Sequence, residues 1–279
     1  MKTFTNSNAR DLQQAVTLVQ QTHRDGKAAS FVGGGSDLLG LVKERLVAPD
    51  VLVNLKTIKG LDQVTPAAGG VNIGGLITLD TLSHNPVIRR DYAVLAEAAE
   101  TVATPQIRNV GTLAGNVNQR PWCWYFRNGF PCFKNGGNTC FSFGGENQFH
   151  AIFGGGPSYI VHPSDTAVAL VALEAKFRIV GPSGERLLPA ADFFALPQQN
   201  SSKALLSSAA GLLRKRLAAF FQRGIFQFIT LPKSTWSSGN SGCPRKSADS
   251  RMPCSRSFSR LIKRWFPACA EKHWNGESP

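Results

Sequence analysis

The sequence predicts an α+β layered fold, and three observations carry that prediction. Strand-like and helix-like stretches alternate with short links through about the first two hundred residues, as layers around one core require. A β-prone apolar run ends abruptly at Gly33-Gly34-Gly35, and polar Ser36-Asp37 then opens a second apolar segment. Residues 1–200 are almost neutral, with 17 Lys and Arg against 15 Asp and Glu. The remaining 79 residues hold 14 against 3, so nearly all of the net charge of +13 lies there. The basicity therefore says nothing about what the first part binds.

In order, residues 2–5 read as a short strand and residues 8–23 as a helix. That helix carries Leu12, Ala15, Val16 and Val19 on one face and has Gly26 beyond its end. Residues 28–32 are the strand that stops at the glycines. Residues 38–46 read as helical and Pro49 stops them. Residues 50–55 and 71–76 are strands, and a capped segment follows from Thr78 to Ser83. Residues 92–102 form a helix with Leu95, Ala98, Ala99 and Val102 inward. Residues 175–180 and 185–188 pair as a hairpin across Gly181-Pro182-Ser183-Gly184.

Glycines tolerate φ > 0 and expose bare N–H groups, so Gly33 to Gly35 can form a nest for phosphate oxygens. If Ser36 or Asp37 caps a following helix, the helix N-terminus adds partial positive charge at the same point. A side chain at Gly34 is expected to fill the space of the bound group. The plain alternative is a tight strand-to-helix turn with no ligand. The G-x-G-x-x-G pattern is not met, because Leu38 stands where its third glycine belongs.

A second segment, residues 106–117, sets Gly111, Thr112, Gly115 and Asn116 beside an apolar, strand-like run. Together with residues 31–39 it resembles the two FAD-contacting segments of the flavin subunit of molybdenum hydroxylases, the xanthine dehydrogenase and carbon monoxide dehydrogenase family. Ser164-Asp165 and the apolar helix after it match a third feature of that family, displaced by an interruption holding Cys123, Cys132 and Cys140. The interruption is similar to the branch whose flavin subunit also carries an iron–sulfur cluster, the periplasmic aldehyde oxidoreductase type. The resemblance covers about residues 1–200.

It implies a two-subdomain FAD-binding fold of the PCMH-like kind, with residues 1–55 as the first subdomain and 56–199 as the second. By the same resemblance, Phe31, Val32, Gly33, Gly34, Gly35, Ser36, Asp37, Leu38 and Leu39 wrap the FAD pyrophosphate. Thr112, Gly115 and Asn116 bind from the other side, and Asp165 accepts from a cofactor hydroxyl. Ser164-Asp165 reads equally as a helix cap. Residues 77–79 either approach the flavin ring or form an ordinary buried turn. No residue stands out as a catalytic acid, base or nucleophile, and flavin electron transfer needs none. The implied partners are a molybdenum-cofactor catalytic subunit and a small [2Fe–2S] subunit.

Residues 119–161 are rich in Gly, Asn, Ser and aromatics, a composition that favours irregular backbone. A [4Fe–4S] cluster would hold such a loop together, with Cys123, Cys132 and Cys140 as three ligands. Similar subunits place a fourth cysteine where this chain has Ser158, and a hydroxyl is far harder to deprotonate than a thiol. An oxygen-ligated cubane, a three-iron cluster and no cluster all remain open. So do three unrelated cysteines, and zinc on three cysteines and a histidine. His150 and His162 read as packed or hydrogen-bonded rings.

From Asn200 the character changes, and the family's third subdomain is not recognisable. Residues 204–221 could form a basic amphipathic helix. Beyond Gln222 no burying period is found, and the chain is expected to be largely unfolded, as a displaced reading frame would leave it. A basic extension for nucleic acid is the rival, though it has no motif and no nucleic acid is expected. No apolar run approaches the ~18 residues of a membrane helix. The opening residues lack the apolar core of a signal peptide, so the chain is expected to be cytoplasmic as synthesised, or periplasmic if exported with a partner. The expectation is a redox-relay subunit, against a remnant that docks with partners but holds no cofactor.

Overall fold

The structure is a computed structural model that describes residues 2–152, 157–194 and 225–233. Its first sheet is parallel and three-stranded, in the order β1 (Thr5–Asn8), β3 (Val51–Asn54), β2 (Ala29–Val32). Parallel neighbours need a crossover, and helix α1 (Leu12–Arg24) supplies the first one, running back over the sheet. Asp11 caps α1 by accepting from the Gln14 N–H at 2.7 Å, so the helix starts at Leu12 rather than at Asn8, which ends β1. Its buried residues Ala15, Val16 and Val19 are three of the four that the helical period points inward, and Leu12 packs at their edge.

After β2 and the glycine turn comes α2 (Leu38–Lys43), shorter than its apolar run because Arg45 turns to φ 62° and the chain reverses towards β3. The second sheet is antiparallel, in the order β4 (Val64–Ala67), β5 (Gly70–Gly74), β8 (Ile225–Pro232), β6 (Lys176–Gly181), β7 (Gly184–Pro189). Between β5 and β6 the chain forms short helices: α3 (Leu79–His84), α4 (Pro86–Asp91), α5 (Ala93–Thr101), α6 (Pro105–Val110), α7 (Leu113–Val117), α8 (Trp124–Arg127) and α9 (Asp165–Ala172). After β7 comes α10 (Ala190–Phe193).

Strand β8 corrects the expectation that the chain beyond Gln222 is unfolded. Ile225–Pro232 lies in the middle of the second sheet, hydrogen-bonded to β5 on one side and β6 on the other. Ile73, Ile229 and Phe177 stand opposite one another across three strands, and all three are fully buried. Each such side chain contributes roughly 1.5–3 kcal/mol relative to exposure. Thr230 donates to Asn72 across the β5–β8 pair at 2.7 Å, and the Tyr92 hydroxyl donates to the Pro232 carbonyl at 3.0 Å. The helix expected at 204–221 and the rest of the tail lie outside the described residues.

The main core lies between the second sheet and helices α3, α5 and α9, around Leu82, Ile88, Leu95, Ala99 and Leu170. A second core joins the two sheets, with Val16, Val19 and Val53 meeting Leu61, Leu76 and Ile225. Among the described residues, no helix is long and apolar enough to cross a membrane.

Candidate functional site

The glycine turn leaves β2 and runs directly against the second glycine segment. A Cβ built on Gly34 would collide with the Val110 carbonyl, and one on Gly33 would stand 3.2 Å from Thr112 Oγ1. Gly34 is thus needed for backbone-to-backbone contact within the protein, a reason the sequence does not disclose. Gly35 has φ 75°, a conformation that favours glycine. Among the described residues, the N–H groups of Gly33, Gly34, Gly35 and Ser36 meet no protein acceptor. They are the N–H groups from which a nest would be built.

The segment opposite is helical rather than strand-like. Pro105 starts α6, and α7 begins after a break at Gly111-Thr112. Thr112 caps α7 by accepting from the Gly115 N–H at 3.1 Å. The break pairs with the turn before α3: Leu79 N–H donates to Gly111 O, Leu113 N–H to Ile77 O, and Ala114 N–H to Gly75 O, each at 2.9 Å. Ile77 and Leu79 are buried by this ladder, as an ordinary turn would be.

Asn116 is buried, and its Oδ1 accepts from Ser164 Oγ and Thr166 Oγ1, both at 2.6 Å. Ser164 in turn caps α9, accepting from the Ala167 N–H at 3.0 Å. Capping therefore falls to Ser164, and the neighbouring Asp165 is exposed in the first turn of α9. This network places Asp165 beside the Asn116 segment, so these two candidate groups share one region. The Leu38 side chain is buried under α2 and Leu39 is exposed.

Asp37 does something else. It occupies the cap position of α2, yet its side chain makes no capping bond. One carboxylate oxygen accepts from Arg127 Nη2 at 3.0 Å, and the other from the Arg120 backbone N–H at 2.9 Å. Adjacency to the glycines suggests that Asp37 helps to wrap a pyrophosphate, but its carboxylate faces the cysteine insertion instead. Burial pushes the Arg120 guanidinium down to about 10, against the pull of Asp37, so it stays charged at neutral pH.

The insertion is irregular backbone held by side chains. Tyr125, Phe130 and Phe141 pack ring to ring, and the Tyr125 hydroxyl accepts from the Glu146 N–H at 2.7 Å. Leu41 of α2, Phe126 and Cys132 form a small apolar cluster with Cys123 at its edge. His150 Nε2 lies 3.2 Å from Cys123 Sγ. Burial pushes the Cys123 thiol up, and neighbouring Cys132 and Cys140 add to the rise against the Phe126 and Tyr125 N–H groups. The Tyr159 N–H donates to Cys140 Sγ at 3.4 Å, which brings buried Ser158 to within one residue of that contact. Among the described residues, no three of His, Cys, Asp and Glu stand close enough to share a single metal ion. The zinc alternative therefore has no formed site there.

Residues 2–209 match the family model described as the FAD-binding domain in molybdopterin dehydrogenase. The aldehyde oxidoreductase FAD-binding subunit PaoB of Escherichia coli is 36% identical over 202 residues, 71% of this chain and 62% of that protein. The nicotinate dehydrogenase FAD-subunit of Eubacterium barkeri is 34% identical over 42% of this chain and 39% of its own length. The carbon monoxide dehydrogenase medium chain of Hydrogenophaga pseudoflava is 27% identical over 84% and 65%. The chain thus spans less than two thirds of each of these relatives. A solved carbon monoxide dehydrogenase from Hydrogenophaga pseudoflava superposes with a TM-score of 0.56 at 22% identity, covering 84% of this chain and 60% of that one, which shows a shared fold.

Proposed function

The chain belongs to the family of FAD-binding domains of molybdopterin dehydrogenases, and we propose that it is the flavoprotein relay of a larger molybdenum hydroxylase. In this reading a molybdenum catalytic subunit oxidises the substrate and a small [2Fe–2S] subunit forms the link to this chain. The substrate, an aldehyde or an N-heterocycle, is chosen on the partner. The observation that carries the reading is the row of N–H groups at residues 33–36, which meet no protein acceptor among the described residues and lie beside the seam with Val110.

Such a nest suits a pyrophosphate, because several fixed N–H dipoles converge on anionic oxygens without having to reorganise. FAD supplies electron transfer in single or paired steps, the property a relay needs. The chain's own residues bind and orient it. Residues 31–36 wrap the pyrophosphate by backbone, the segment around Thr112, Gly115 and Asn116 closes the opposite side, and the exposed Asp165 carboxylate accepts from a hydroxyl. The test is to load the purified full-length chain with FAD, remove free flavin and record the visible flavin absorbance. Retained flavin is expected. A chain folded by circular dichroism that keeps none overturns the reading.

The insertion is the second cofactor site of the proposal. Cys123, Cys132 and Cys140 would be three ligands of an iron–sulfur cluster of the [4Fe–4S] type, with Ser158 as the candidate fourth. Support comes from Cys123 and Cys132 lying in one apolar cluster and from the N–H of Tyr159, the residue after Ser158, which donates to Cys140 Sγ. A cubane is wider than a single ion, so its ligands stand further apart than those of one metal. Anaerobic reconstitution of the parent and of Ser158→Cys tests this. Iron and sulfide should rise in the variant towards a full cubane. No iron in either protein overturns the cluster and leaves the flavin reading standing.

A further inference from the structure

We propose that Arg127 is a positioning residue for the flavin turn: through Asp37 it lets the cysteine insertion hold the turn in its binding shape. The inference rests on the reading of residues 33–36 as the pyrophosphate turn.

Arg127 belongs to the insertion, and its guanidinium bridges the two ends of α2. At one end Nη2 donates to Asp37, which closes the turn, at 3.0 Å. At the other end Nη1 donates to Glu44, which follows the last residue of α2, also at 3.0 Å. Between these carboxylates sits Gly40; a Cβ there would stand 4.0 Å from Arg127 Nη1, an ordinary contact. The guanidinium is also fixed from its own side. Nε donates to Pro121 O at 3.0 Å, Nη2 reaches Arg120 O at 3.3 Å, and the guanidinium carbon lies 4.1 Å from the centre of the Trp122 ring. The side chain is 6% exposed, so these contacts are made largely out of water.

Five N–H donors in a fixed plane can bind two carboxylates and two carbonyls at once, which a lysine ammonium cannot do in this geometry. The second oxygen of Asp37 accepts from the Arg120 N–H, so the insertion holds both oxygens of that carboxylate. Asp37 cannot shift without breaking these bonds, and it bounds the turn on its C-terminal side. On the N-terminal side the turn is bounded by β2, which is paired in the first sheet. The turn is therefore fixed at one end by a sheet and at the other by the insertion. Leu41 packing on Phe126 and Cys132 seats α2 on the same surface.

The experiment measures FAD affinity for the full-length chain, for Arg127→Met, Asp37→Asn and the double variant, well below each protein's unfolding temperature. Arg127→Met and Asp37→Asn should each weaken FAD at least tenfold while the chain stays folded, and Arg127→Lys should restore little. The double variant should be no weaker than the worse single one, because both remove the same link. Additive losses would mean that Asp37 meets FAD directly and would overturn the clamp. So would affinity within twofold of the parent in the folded variants, since a purely structural pair lowers stability without moving affinity. If Arg127→Met does not fold, Asp37→Asn carries the expectation alone, because it removes a charge and almost no volume. A parent that binds no FAD overturns the proposed function and this inference with it; a binding parent with unchanged variants overturns the clamp only.

Discussion

Where residues 33–36 meet residues 110–116, backbone touches backbone, and glycines stand where a side chain would intrude. In the cysteine insertion the backbone makes little regular structure, and Tyr125, Arg127, Phe130 and Phe141 do the joining. The two regions meet on α2 and are each given a fixed shape by different means. A backbone seam has few ways to deform, so it is intolerant of even one added carbon. A side-chain scaffold gives way piece by piece, because each contact can be lost without the others. The glycine turn should thus be all-or-none in its response to substitution, and the insertion graded.

The largest effect is expected at Gly34. Gly34→Ala puts a Cβ into the Val110 carbonyl, and both partners are backbone, so neither can rotate away. We expect a loss of stability of about 3 kcal/mol or more, at the top of the overpacking range, together with loss of flavin binding. Denaturant unfolding followed by circular dichroism, with flavin absorbance on the same samples, measures both. Near-parent stability would show that the seam opens easily and would remove the contrast with the insertion.

The next effect tests the backbone-built part far from the turn. Ile229 is fully buried opposite Ile73 and Phe177. Ile229→Ala should cost about 3 kcal/mol, within the usual range for a large-to-small core change. A change below about 0.5 kcal/mol, the usual limit for a surface site, would take β8 out of the core.

The two regions also differ in how far the sequence discloses them. Helix α1, the glycine turn, the pair β6–β7 and the capped α9 are each marked by local signals: a helical period, a glycine, a capping serine. Their structure depends mostly on neighbours along the chain, so those signals suffice. Strand β8 pairs Ile229 with Ile73, and no local feature announces a partner so distant in sequence. It does carry a signal of its own, the β-prone apolar run Ile225-Phe226-Gln227-Phe228-Ile229-Thr230-Leu231 ended by Pro232, but it sits in Ser- and Arg-rich surroundings whose composition points to disorder. The apolar run before Gly111 is a helix because Pro105 starts one and Gly111 ends it, which outweighs strand-like composition. Asp37 and Arg127 are each visible as residues. That one holds the other is a fact of packing between segments and has no sequence signature.

A smaller effect is expected where side chains join α7 to α9. Asn116→Ala leaves the Ser164 and Thr166 hydroxyls without their shared acceptor. Those hydroxyls lie 3.2 Å apart and can still pair with each other. The cost should therefore be about 1–2 kcal/mol, the lower part of the range for buried polar groups left unmade. Unfolding of apo protein measures it, and a change under about 0.5 kcal/mol would show that the network contributes nothing to stability.

The smallest effect is the most discriminating, because it repeats the chemistry of the first. Gly40→Ala makes the same one-carbon addition as Gly34→Ala, six residues further along the chain. Gly40 lies inside α2, has no positive φ, and its added Cβ would meet Arg127 Nη1 at 4.0 Å, ordinary contact. Alanine is favoured over glycine within a helix by roughly 0.5–1 kcal/mol. The substitution should raise stability by about that amount and leave FAD affinity unchanged, since the guanidinium need not move. Thermal unfolding and an FAD titration test the two halves separately. A destabilised Gly40→Ala protein would mean that Arg127 presses closer to α2 than 4.0 Å allows, and the insertion would then share the rigidity assigned to the turn alone.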